Sequence, residues 1–121
     1  MQMGEWFPVA TLRDQILNAK DYKSKKVKVE EWGGVEVEVR SMSAAARSRI
    51  IEMGDNMNVA ELSVALVLEC VYDPKTGERV FSPADKEVLM QKNAGVLERL
   101  AREINEVSGF TDEDVEQAEK N

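Results

Sequence analysis

Three stretches of this chain hold residues that chemistry could use. The first is VALVLECVY, where Glu69 and the only cysteine, Cys70, interrupt an apolar run. A buried carboxylic acid beside a thiol would make an acid and nucleophile pair. The run around them is that of a core helix, however, so we read Cys70 as a small buried hydrophobe and Glu69 as a carboxylate that sits at the helix margin or pairs with an arginine. The second is DPKTGERVFSPAD at residues 73–85, in which Asp73 and Glu78 flank Gly77. It fails as a calcium loop. Lys75 stands where an oxygen ligand belongs, Gly77 falls one place early and no glutamate occupies the twelfth position. A tight turn explains it better. The third is the basic cluster Lys20, Lys23, Lys25, Lys26 and Lys28, which has neither arginines nor interleaved aromatics and reads as a solvated face rather than a nucleic-acid patch.

Composition narrows the chemistry further. The chain contains no histidine, which removes the commonest general base and the commonest transition-metal ligand. Gly33-Gly34 lies between strands, not between a strand and a helix, so it is no phosphate cradle. These residues predict neither an enzyme, a metal site nor a cofactor. The formal net charge is −7, with +2 in residues 1–50 and −9 in residues 51–121, so the C-terminal half repels phosphates. No apolar segment reaches membrane-spanning length and the N-terminus lacks a secretory pattern, so we expect a soluble cytoplasmic protein.

Which elements must carry these residues follows from periodicity. At 121 residues, one domain spanning 1–121 is expected, with segments 1–10 and 110–121 mobile. Thr11 caps a short helix from Leu12 to about Ala19. Val27 and Val29, then Val35, Val37 and Val39, alternate with charged residues as two strands. A two-residue Gly33-Gly34 loop would send the two valine sets to opposite faces. A three-residue loop of Trp32, Gly33 and Gly34 pairs Val29 with Val37 and Val27 with Val39, which puts all five on one face. Trp32 then sits at the tip, where packing back on the helices is preferred to meeting a partner.

Ser43 caps a helix through AAARSRIIEM that ends at GDN, and Val59–Val71 reads as a buried central helix. A turn follows, with a brief extended piece at Arg79–Phe81. Ser82-Pro83 with Asp85 then opens a helix over 83–92. A second runs from Ala94 to Val107, with Leu97, Leu100, Ala101, Ile104 and Val107 at helical spacing, and Gly109 stops it. Thr111 and Asp114 suit the start of a last short helix near 115–118. The expected class is α+β: an N-terminal β-hairpin packed against a bundle of about four to five helices. Trp6, Phe7, Trp32 and Phe110 are the apolar candidates for contact with a partner, and the methionines, Met42, Met53, Met57 and Met90 among them, suit surfaces that repack, though most should fill the core.

Taken in order, EWGGVEVEVRSMSAAARSR (31–49), VYDPKTGERVFSPAD (71–85) and LERLAREINEVSGFTDEDVEQAEKN (97–121) resemble the tail assembly chaperones of long-tailed bacteriophages and prophages, from about Leu12 onward. The matching motif positions are Trp32, Gly33, Gly34, Val37, Val39, Arg40, Ser43, Asp73, Gly77, Phe81 and Ser82. One departure is AAARSR, which lacks the acidic residue that often precedes the family's arginine and so puts an ion pair there in doubt. The resemblance implies a non-enzymatic protein without cofactors. Its relatives coat the tape measure protein, help recruit tail tube subunits (the major tail protein) and are absent from the finished virion. It implies a self-associating protein in the cytoplasm of the bacterial host, with no nucleic acid or membrane partner, and in many such families a longer frameshifted form. Two other readings stay open: a minor structural component of the virion tail, and a small nucleic-acid-binding regulator using the lysine cluster.

Overall fold

A computed structural model describes residues 11–54 and 56–109, and the expectations for mobile ends, for Trp6, Phe7 and Phe110 and for a helix near 115–118 lie outside the described residues. The fold is α+β. Helix α1 (Leu12–Asn18) precedes strands β1 (Ser24–Val29) and β2 (Val35–Arg40), then helices α2 (Ala44–Glu52) and α3 (Val59–Cys70). A two-residue strand β3 (Val71–Tyr72), a short α4 (Lys86–Leu89) and α5 (Ala94–Val107) complete it. The sheet is antiparallel in the order β1-β2-β3.

Local chemistry sets most of the boundaries. Thr11 and Asp14 form a reciprocal cap at α1, Asn58 and Glu61 do the same at α3, and Ser43 and Asn93 accept the orphan amides of α2 and α5. The helix expected over 83–92 is instead a 3-10 turn at Pro83–Asp85 running into the single turn of α4. With only Leu89 buried, nothing on that stretch repeats at the spacing that would hold a longer helix.

The hairpin departs from the expected register. Val29 faces Val35 and Val27 faces Val37, while Val39 faces Lys25. The loop is therefore Glu30–Gly34, with Glu30–Trp32 in a 3-10 turn and both glycines left-handed, at φ 81° and 76°. Gly33 N–H donates to the Glu30 carbonyl at 3.1 Å and Gly34 N–H to the Val29 carbonyl at 3.0 Å. The five-residue loop uses two glycines and satisfies both amides, where a three-residue loop needs only one. Because the slip is by two residues, parity is kept and the valines still share a face. Val29, Val37 and Val39 are buried, whereas Val35 at the tip is exposed.

Across that face lies α5, which touches both the sheet and α3. Val96, Leu97, Leu100, Ala101 and Ile104 form its buried stripe, and Val64, Leu66, Val67 and Cys70 answer from α3. Trp32, Met42, Met90 and Phe81 pack against this core from its margin. Two ion pairs strap the hairpin to α5: Glu31 with Arg99 at 2.8 Å, and Lys25 with Glu103 at 2.6 Å. Arg99 and Glu103 are one helical turn apart and so point along one face.

Val71 leaves the helix to which its apolar setting assigned it. Paired with Val39, it starts β3, and Tyr72 bridges Arg79 across the following turn. That bridge is the extended piece expected at Arg79–Phe81, shortened and tied to a strand absent from the sequence-based picture.

Candidate functional site

Arg40, at the end of β2, is the centre of the best-built polar region. Its guanidinium carbon lies 4.3 Å from the Tyr22 ring centroid and 3.9 Å from that of Tyr72, so the cation is held between two aromatic faces. Its Nε donates to Glu38 at 2.7 Å. Tyr22 comes from the segment before β1 and Tyr72 from β3, so the sandwich exists only once the third strand has joined the sheet.

The turn after β3 closes over the same place. Gly77 N–H donates to the Asp73 carbonyl and Asp73 N–H to the Glu78 carbonyl, both at 2.8 Å, while an Asp73 carboxylate oxygen accepts from Lys75 N–H at 2.8 Å. Asp73 thus works as a turn former. Gly77 has φ 76°, and a Cβ there would lie 3.8 Å from Arg40 Nη2. Below Arg40 opens a cavity of about 350 Å³ bordered by Tyr22, Ser43, Glu69 and Tyr72. The fold therefore gathers Arg40, Ser43, Asp73 and Gly77 of the motif residues into one neighbourhood. Trp32, Gly33 and Gly34 stand at the other end of the hairpin, with Trp32 half-buried against the core, as preferred.

Glu69 joins this region to a second one. Its carboxylate accepts from Arg49 Nε at 2.7 Å and Arg49 Nη2 at 2.8 Å, and Arg79 Nη2 lies 3.1 Å away. The arginine that lacks an acidic neighbour in sequence finds one on α3. The pair holds the Glu69 carboxyl below the usual range, with the Arg49 hydrogen bonds as the main cause and Arg79 adding to it. Beyond Glu69 lies a groove of about 310 Å³, with mostly apolar walls from Ile50, Met53, Leu68 and Phe81. Ser82 follows at its edge and donates its N–H to Asp85 at 2.8 Å.

Cys70 is buried, and desolvation pushes its thiol up to about 12. The lysine cluster lies on and before β1, where Lys25 and Lys28 pair with Glu103 and Glu30. Strand β1 is the sheet edge, and lysines there oppose pairing with another strand. Tyr22, Tyr72 and the ion pairs at Arg99 and Lys25 escape sequence reasoning, as does which arginines meet Glu69, because their partners lie far apart in the chain. A lone tyrosine carries no signal of an arginine across a sheet.

This fold and this motif set define a class. The phage tail assembly chaperone family profile matches residues 11–121, and the chain belongs to that family. The solved structure entitled "Structure of bacteriophage HK97 tail assembly chaperone" is similar to it, with 28% identity over 78% of this chain and 95% of that chain, at a TM-score of 0.60. No curated protein matches the chain. Among the described residues, no helix is long and apolar enough to cross a membrane.

Proposed function

We propose that the protein is a non-enzymatic assembly chaperone that binds the tape measure protein of a long-tailed phage and keeps it soluble. It self-associates, helps recruit tail tube subunits and acts in the cytoplasm of the bacterial host, without remaining in the virion. The observation that carries this reading is the family match over residues 11–121. Surface chemistry supports it: Leu12, Ile16, Ile51, Met53, Val59 and Val88 are large apolar side chains left exposed, material for contact with an apolar client.

Co-expression with the tape measure protein tests the proposal. A soluble complex that co-purifies is expected, and an insoluble client with no complex overturns it. Purified virions, probed for this chain, separate a chaperone from a tail component, which would remain bound.

A further inference from the structure

The groove between α2, α3 and the Phe81 turn differs in charge from the chain as a whole. Its floor is apolar, and Arg49, Arg79 and Lys86 rim it against a single lining carboxylate, Glu69. Both arginines share that carboxylate, and Glu52 on α2 adds its field at Arg49. Lys86 is half-buried and makes no ion pair among the described residues. The rim therefore keeps an excess of positive charge on a protein of net charge −7. An apolar floor with a cationic rim suits an apolar segment flanked by acids.

The walls also select the form of that segment. None of the lining residues lies in β1, β2 or β3, so the groove offers no strand edge with which an extended chain could pair. A helix satisfies its own backbone and brings only side chains to the contact. At about 310 Å³ the groove stands at the small end of ligand pockets, which run from roughly 300 to 1,000 Å³. It holds a few side chains rather than a whole helix. The helix then lies across the opening and inserts apolar anchors three or four positions apart, while carboxylates beside them meet the rim. Met53, just past the last turn of α2 and 48% exposed, is an unbranched wall that adapts to such anchors.

We infer that this groove is the docking site for an amphipathic, acid-flanked helix of the client, with its apolar anchors on the floor beside Met53, Leu68 and Phe81 and its carboxylates against Arg79 and Lys86. This rests on the chaperone reading, whose client supplies the helix, and deepens it by naming the surface and the chemistry of the segment it takes.

The test uses the isotope-enriched full chain and two synthetic helical peptides that share the same leucine positions, one flanked by glutamates and the other by lysines. The acidic peptide is expected to shift the signals of Met53, Leu68 and Phe81 saturably, and the basic one to bind at least about tenfold more weakly. Lys86→Glu breaks no ion pair, so it should leave melting unchanged while removing most of the preference for the acidic peptide. The inference is overturned if the two peptides bind equally, if neither binds, or if the shifts map outside the groove. It is also overturned if the groove signals move with protein concentration alone, which would place a second copy there. Co-expression reads the chaperone role separately: a client kept soluble while the acidic peptide is ignored sinks the groove and spares the role, and an insoluble client beside a bound peptide does the reverse.

Discussion

Arg49 on α2 and Glu69 on α3 form a two-pronged ion pair, at 2.7 and 2.8 Å, between helices joined by a glycine-containing turn. Its acid is mostly buried while its base is half exposed, which places the pair between the weak surface kind and the costly buried kind. Removing the base leaves Glu69 with Arg79 alone. We expect Arg49→Ala and Glu69→Gln each to lower stability, and the double variant to lose less than the two single losses added together. Urea midpoints at unchanged slope check this, and additive losses would deny the pair any coupling.

Acid sensitivity follows from the carboxylates. Hydrogen bonds from Arg99, helped by the turn's own backbone, hold Glu31 down to about 2, against an ordinary value of 4.5, and Glu69 is held low by Arg49. Both are lowered in the folded state, so their stabilisation is complete above about pH 5 and is lost as pH falls through 4.5 toward 2. Unfolding measured across that window should show a falling stability whose slope Glu31→Gln makes shallower. An identical slope in the variant would mean that the Arg99 bridge does not form in solution.

At the hairpin tip, Gly33 and Gly34 both take positive φ with little crowding around Gly33. Gly33→Ala should therefore lower stability by about 1–2 kcal/mol through backbone strain alone, and Gly33→Asn by less, since asparagine tolerates this region. Gly34→Val should lower it most. Valine is β-branched, and a Cβ at Gly34 lies 3.5 Å from Lys28 Cε. Thermal melting should give the order wild type, Gly33→Asn, Gly33→Ala, Gly34→Val, and a wild-type melting temperature for Gly34→Val would contradict the loop geometry.

Much of this architecture is legible in the sequence because its signals are local. The caps Thr11, Ser43 and Ser82, the stripe Leu97–Ile104 and the valine alternation depend on neighbours within a few positions. What escaped is non-local. Alternation fixes which face a valine takes but not which valine it meets, so the register slipped by two without changing sides. Val71 looked helical because an apolar residue after an apolar helix carries no mark of a waiting sheet edge. The partner of Arg49 lies 20 residues away on another helix. Of the motif positions, Ser43, Asp73 and Gly77 came together around Arg40 through β3, the element that sequence reasoning lacked.

The Arg40 sandwich yields the sharpest distinction between charge and shape. Lysine at this position keeps the cation and can still approach Glu38, but it has no planar group to lie between Tyr22 and Tyr72. If stacking matters, Arg40→Lys should be nearly as harmful as Arg40→Ala, each by about 1–2 kcal/mol for two aromatic contacts and a charge-assisted hydrogen bond. Tyr72→Leu should then remove most of the difference between arginine and lysine, because one wall of the sandwich is gone. Denaturation of the four single and double variants reads this directly. Full stability in Arg40→Lys would show that the position needs only a positive charge. Gly77 would then answer only to its own left-handed backbone at φ 76°, not to the arginine beside it.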